Sequence, residues 1–171
     1  MISSIDAESD IINGEMKMVW RMLRIPATTA GGTGMKGEAL KILEERFGHD
    51  SLISLATVKD GLPAVRTVDG YYEDCSFYVV TYAESNKIKE IIKNPAVAVC
   101  GEWFTASGTG EILGWVGEQA NEEMMQKLRS VFSEWYNNGH VDEADHNTCL
   151  LRIRLTKGVL FNRGTRYDID F

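Results

Sequence analysis

Cysteine is scarce in this chain and unpaired in spacing. Cys75, Cys100 and Cys149 are three in 171 residues, which excludes a disulfide framework or a cysteine-based zinc site; each reads as a small hydrophobe. Long basic runs are absent too. With 25 acidic against 18 basic residues and a net charge of −7, nothing here neutralises a polyanionic backbone, so nucleic acid is not expected as a partner. No window is apolar over the length that spans a bilayer. The N-terminal segment carries Asp6, Glu8, Asp10 and Glu15 in place of a signal peptide's apolar stretch, and a cytoplasmic location is expected. Repeats and low-complexity tracts are missing, as is any Ser-His-Asp or Cys-His pattern for nucleophilic catalysis. One polar cluster, HVDEADH at 140–146, holds two histidines and three carboxylates. It follows a helix stop and lacks the spacing of a metal-binding helix, so it reads as a solvated loop and no metal site is expected.

What is present suits one domain with a substantial core: 44% of residues are hydrophobic and 25% charged. Residues 1–34 read as an extension. Met16, Val19, Trp20 and Leu23 recur at helical spacing, as in a helix packed on its own domain or a dimer mate, and the small-residue stretch at 27–34 reads as a linker. Met35 offers an alternative start. The domain proper is placed at 35–171. Ala39, Leu40, Leu43 and Phe47 share one face of a helix at 37–47, with Gly48 at its end. Asp60-Gly61 between β-rich runs at 52–58 and 62–68 is a strong hairpin signal, and a third strand is expected at 76–81. A short helix then starts at Ser85, buries Ile88, Ile91 and Ile92, and stops at Asn94-Pro95. Strands are expected over 96–105 and 109–113, with Gly101, Gly108 and Gly110 marking bulges or close backbone approach. A long helix with a methionine and aromatic stripe follows, from an Asn121 cap to Asn138-Gly139. At the C-terminus, alternation over 149–156 gives a half-buried strand, with 159–161 expected to pair with it. Six or seven mostly antiparallel strands with two or three helices are most simply satisfied by an α+β fold centred on a closed or split β-barrel, which leaves no exposed edges.

One constellation points to chemistry. Arg66 lies on a strand, and Ser85 and Lys87 open a short helix soon after it. A guanidinium, a hydroxyl, an ammonium and the free N–H groups of a helix start are what a phosphate monoester recognises. A lysine in a first turn is disfavoured by the helix dipole unless an anion lies between them, so its position itself favours an anion site.

The ordered set LATVKDGLPAVRTV (55–68), FYVVT (77–81), SNK (85–87), NPAV (94–97) and GTGE (108–111) resembles the pyridoxamine 5'-phosphate oxidase-like FMN-binding split barrels, in the branch related to general stress proteins. The resemblance implies a homodimer of split barrels with FMN at the subunit interface and a small-molecule substrate or reductant. It implies that Arg66, Ser85, Asn86 and Lys87 surround the phosphate, that Thr67, Val68, Val80 and Thr81 line the ribityl chain and ring, and that Trp103 faces the flavin from the interface or, alternatively, is a buried barrel tryptophan. Asn86 stands where the oxidases proper carry arginine, Tyr71 where they carry a lysine for the substrate phosphate, and their C-terminal arginine–histidine pair has no counterpart. An FMN-dependent oxidoreductase acting on something other than vitamin B6 is therefore the expected function. A flavin-binding stress or sensor protein without turnover, and a split barrel carrying haem or deazaflavin, are the alternatives.

Overall fold

The computed structural model describes residues 33–171. The amphipathic segment and most of the linker expected before the barrel lie outside these residues. Helix α1 (Thr33–Phe47) leads into strands β1 (Ser51–Lys59), β2 (Leu62–Glu73) and β3 (Ser76–Tyr82), then helix α2 (Asn86–Lys93). Strands β4 (Ala96–Gly101) and β5 (Phe104–Trp115) precede helix α3 (Glu122–Val131), and β6 (Thr148–Asn162) and β7 (Thr165–Asp170) end the chain. All pairings are antiparallel, in the order β3-β2-β1-β4-β5-β6-β7, and β3 also pairs with β6. Six strands thus close into a barrel and β7 extends it, as the alternating pattern predicts. No helix among the described residues is long and apolar enough to cross a membrane.

Local chemistry sets the register. Asp60 and Gly61 both take positive φ (51° and 81°), the primed turn whose twist suits a hairpin, and Lys59 pairs with Leu62. Inward residues Ile53, Leu55, Val79, Val97, Val99, Phe104, Ile153 and Leu155 form the core. Phe47 from α1 enters one end of the barrel and meets Phe77 edge-on at 5.6 Å. Gly101 makes that entry possible, because a Cβ there would sit 2.7 Å from the Phe47 ring. Gly108 falls at a register shift between β5 and β6, where a Cβ would meet the Arg154 carbonyl at 2.4 Å, and Gly110 lies against Ile91. Gly48 donates to Glu44 O at 2.8 Å and ends α1 as expected. A second apolar cluster lies outside the barrel, where Met125, Leu128 and Phe132 cover Tyr71, Val116 and Leu150.

Several boundaries differ from the sequence reading. Residues 96–105 are not one strand: a turn at Glu102 and Trp103 divides β4 from β5, with Trp103 at φ 53°. Nothing in that dipeptide resembles a turn signal. Residues 159–161 do not pair with 149–155 but continue the same strand, and β7 supplies the partner instead. Helix α3 ends at Val131, and a π-type turn spans Tyr136–His140. Asn121 does not cap α3 with its side chain; it is buried and donates to the carbonyls of Leu113 (3.0 Å) and Trp115 (2.9 Å). Leu150, on the outward side of the C-terminal strand, is fully buried because α3 covers that face. Cys100 is exposed, unlike buried Cys149.

Candidate functional site

The alternation of β2 turns Arg66 inward beside Ala64 and Val68, while Val65 and Thr67 face out. One Arg66 Nη donates to Thr57 Oγ1, on the neighbouring strand β1, and the other donates to Glu90 Oε2, on α2, at 2.6 Å. Thr57 in turn donates to the same Glu90 oxygen at 2.5 Å, closing a three-residue ring. Glu90 is only 6% exposed. The hydrogen bond from Thr57, followed by the bond and charge of Arg66, holds its carboxyl below the ordinary carboxylate range despite burial.

Lys87 projects from the first turn of α2 back onto β3. Its Nζ donates to Thr81 Oγ1 at 2.7 Å and lies 3.5 Å from Ser85 Oγ. Burial and then the nearby positive charge of Arg66 press the ammonium below the ordinary lysine range. On its other side is Cys149, the strand partner of Thr81, whose thiol burial pushes up and Lys87 draws back. Among the described residues no carboxylate lies within ion-pair distance of Lys87. Two partly buried cations from different elements thus influence one another, and only Arg66 has a counter-ion.

The start of α2 adds to this imbalance. Ser85 occupies the N-cap with φ −66° and ψ 153°, its side chain makes no capping bond, and the first turn contains no acid. The amides of Asn86, Lys87 and Ile88 have no earlier helical turn to bond to and no side-chain cap. A helix N-terminus attracts negative charge; the first turn supplies none, and Glu84, just before the cap, is paired with Lys89 at 2.9 Å.

The nine residues singled out in the sequence divide into four groups. Thr81, Ser85 and Lys87 are joined by direct contacts at the start of α2, while Arg66 is bonded to Glu90 further along the same helix and acts on Lys87 through its charge. Asn86 is exposed and lines a separate hollow of about 430 Å³ with Lys59, Lys89, Lys93 and Glu90. Thr67 is exposed on the outer sheet face, whereas the Val68 side chain belongs to the barrel core and Val80 packs against the α3 cluster. Trp103 stands at the far end of β4 from α2. It is 71% exposed, which rules out the buried-tryptophan alternative, and it lines a hollow with Arg46, Phe161 and Asn162. Arg46 fixes that end by donating to Glu102 O, Phe161 O and Asn162 Oδ1. Tyr71 is buried in the α3 cluster. In the 140–146 segment Glu143 accepts from Arg129 and Tyr136, and His146 stacks on Trp115 with centroids 4.0 Å apart.

Sequence reasoning missed Thr57 and Glu90. The expected buried face of α2 included Ile92, which is 68% exposed; Glu90 is buried in its place. The available signal was spacing, since Glu90 lies three residues after Lys87 and shares its side of the helix.

General stress protein 26 from Bacillus anthracis has the same fold, with a TM-score of 0.59 and 19% identity over 78% of this chain and 99% of its own. A Clostridium acetobutylicum protein, described as related to general stress protein 26 and of the pyridoxinephosphate oxidase family, superposes with a TM-score of 0.57 and 15% identity, covering 82% of this chain and 97% of its own. A FAD-binding protein from Mesorhizobium loti gives 0.53 and 21% over 70% and 91%. At these identities the likeness is one of fold. No curated protein matches the sequence significantly. The pyridoxamine 5'-phosphate oxidase family model matches residues 39–161, most of the chain and all of the closed barrel up to the end of β6, and the chain belongs to that family.

Proposed function

We propose that this protein is a flavoprotein that holds FMN by its phosphate at the start of α2 and uses it in a two-electron oxidoreduction of a small molecule other than vitamin B6. One observation carries the reading: Lys87 is partly buried in a first helical turn that holds no acid, and it is bonded to the Thr81 hydroxyl without a carboxylate of its own. Such a grouping is unfavourable alone and favourable around a dianion. Arg66 is offset by Glu90, so Lys87 and the helix start carry the uncompensated positive potential. Membership of the family and the FAD bound by the Mesorhizobium loti protein of similar fold support a flavin as the group that brings the phosphate.

The flavin, when bound, supplies electron-pair exchange between a reductant and an acceptor. The chain supplies the grip and the surroundings. Arg66 and Lys87 hold the phosphate, Ser85 offers a hydroxyl, and Thr81 keeps Lys87 directed towards them. Departure from vitamin B6 chemistry is supported by Tyr71, which is packed under α3 and brings no charge to a substrate phosphate.

The same reading includes a homodimer. A shallow hollow of about 720 Å³ on the outer barrel face has small and apolar side chains such as Ala56, Val65, Ala98 and Val159, with Lys157, Asp168 and Asp170 also in its lining, and Val65 is 65% exposed. A second copy of the chain is the occupant we assign to it, and light scattering at twice the monomer mass is the expected result.

Fluorescence titration tests the phosphate grip. FMN should bind at least about 100-fold more tightly than riboflavin, which lacks the phosphate, and an Arg66→Ala/Lys87→Ala variant should lose that preference. A protein that binds neither flavin, or binds both equally, overturns the proposal. Steady oxidation of NADH or NADPH by the FMN-loaded protein then separates an enzyme from a binder.

A further inference from the structure

We infer that Glu90 is the positioning residue of the phosphate clamp, holding Arg66 beside Lys87; this rests on the phosphate reading above. Glu90 is the one buried charged residue among the described residues, and hydropathy does not explain its place, since Ile92 on the same helix is 68% exposed. A carboxylate taken out of water is costly unless it is paired and hydrogen-bonded. Here both conditions are met by the residue implicated in binding the phosphate. The Glu90 side chain is 8% exposed and that of Arg66 is 22%, so the acid is the more deeply buried member of the pair.

Arg66 and Lys87 carry like charge, and burial first and the charge of Arg66 second press Lys87 below the ordinary lysine range. A free arginine on a strand would swing its long side chain away from a lysine and into water. Glu90 and Thr57 oppose this by engaging both terminal nitrogens, and Thr57 is held in turn by its own donation to Glu90. Because Glu90 and Lys87 lie three residues apart on α2, the carboxylate ties the helix carrying one cation to the strand carrying the other. The two halves of the clamp are thereby fixed before any anion arrives, so less ordering is left for binding to supply.

The negative charge of Glu90 also opposes a phosphate, which separates its geometric role from its electrostatic one. Glu90→Gln keeps an oxygen that accepts from Arg66 and removes the charge; Glu90→Ala removes both. If Glu90 acts by positioning, Glu90→Ala weakens FMN by about tenfold or more while riboflavin changes less than about twofold. Glu90→Gln stays within about threefold of the parent for FMN, and Glu90→Ala adds nothing further in an Arg66→Ala background. Arginine-selective NMR supplies a readout independent of flavin: rotation of the Arg66 guanidinium is restricted in the parent and in Glu90→Gln and freed in Glu90→Ala, with circular dichroism establishing that each variant is folded. A folded Glu90→Ala protein that keeps both a restricted guanidinium and the FMN preference overturns the inference, as does equal loss of FMN and riboflavin. If Arg66→Ala itself leaves the FMN preference intact, the phosphate clamp fails and Glu90's role in it fails with it; if Arg66→Ala abolishes the preference and Glu90→Ala does not, only the role of Glu90 fails.

Discussion

Helices α3 and α2 begin in opposite ways. In its first turn α3 has Glu122 and Glu123, which suit the positive end of the helix dipole, and Arg129 lies in its last turn. Its inner face buries Met125 and Leu128, and its charges are used locally: Glu122 accepts from Arg129, and Lys127 bonds Glu73. Helix α2 has no acid in its first turn and a lysine there instead, drawn back against a second cation. Neither N-cap side chain makes a capping bond, so capping does not explain the difference. One helix is electrostatically complete as a packing element. The other leaves Lys87 without a carboxylate partner, the feature on which the phosphate proposal rests.

The sharpest way to break this contrast is to reverse the charge at the α2 start. Lys87→Glu should weaken FMN by about 100-fold or more, measured by fluorescence quenching, with riboflavin little changed. Alkaline pH does the same reversibly. As pH rises through the lowered pKa of Lys87, the free protein gives up the proton that phosphate binding requires, so FMN affinity should fall, by at most about tenfold per pH unit. Stability of the flavin-free protein should move the other way. Between the lowered folded pKa and the ordinary lysine range the unfolded chain holds more protons, so the Lys87 contribution to folding stability rises with pH; thermal melts and FMN titrations over one pH series would show the opposed slopes, which Lys87→Met should abolish.

A milder change makes α2 resemble α3. Asn86→Glu places an acid in the first turn, which should raise stability by about 0.5 kcal/mol while weakening FMN about fivefold to tenfold, so that helix stability and ligand affinity change in opposite directions. The smallest effect is expected from the converse change. Glu122→Gln/Glu123→Gln in α3 should lower stability by about 0.5–1 kcal/mol in chemical denaturation and leave FMN binding within about twofold, since α3 serves packing.

Much of the contrast could be read before the fold was known. The run from Asp60-Gly61 through Arg66 to Ser85 and Lys87 required only local rules: a hairpin turn, strand alternation and a helix start, each a matter of neighbours in sequence. The Trp103 turn escaped because the two-residue connection between paired Gly101 and Phe104 puts positive φ on a residue with no preference for it. Strand β7 escaped because its alternation is short and half polar, and it becomes a strand by pairing with the far end of β6. Glu90 escaped for a deeper reason. Hydropathy assigns Ile92 to the interior and Glu90 to water, and only a partner from a distant strand reverses that order.

The sequence by itself determined the barrel, its first hairpin and the cations of the candidate site, because periodicity, turn chemistry and helix starts are properties of contiguous residues. The tertiary structure alone decided that Arg66 would meet a buried Glu90, with Thr57 closing the ring. Those contacts join β1, β2 and α2 across sequence separations that no local pattern encodes, and the cost of burying charge is met only when all of them meet.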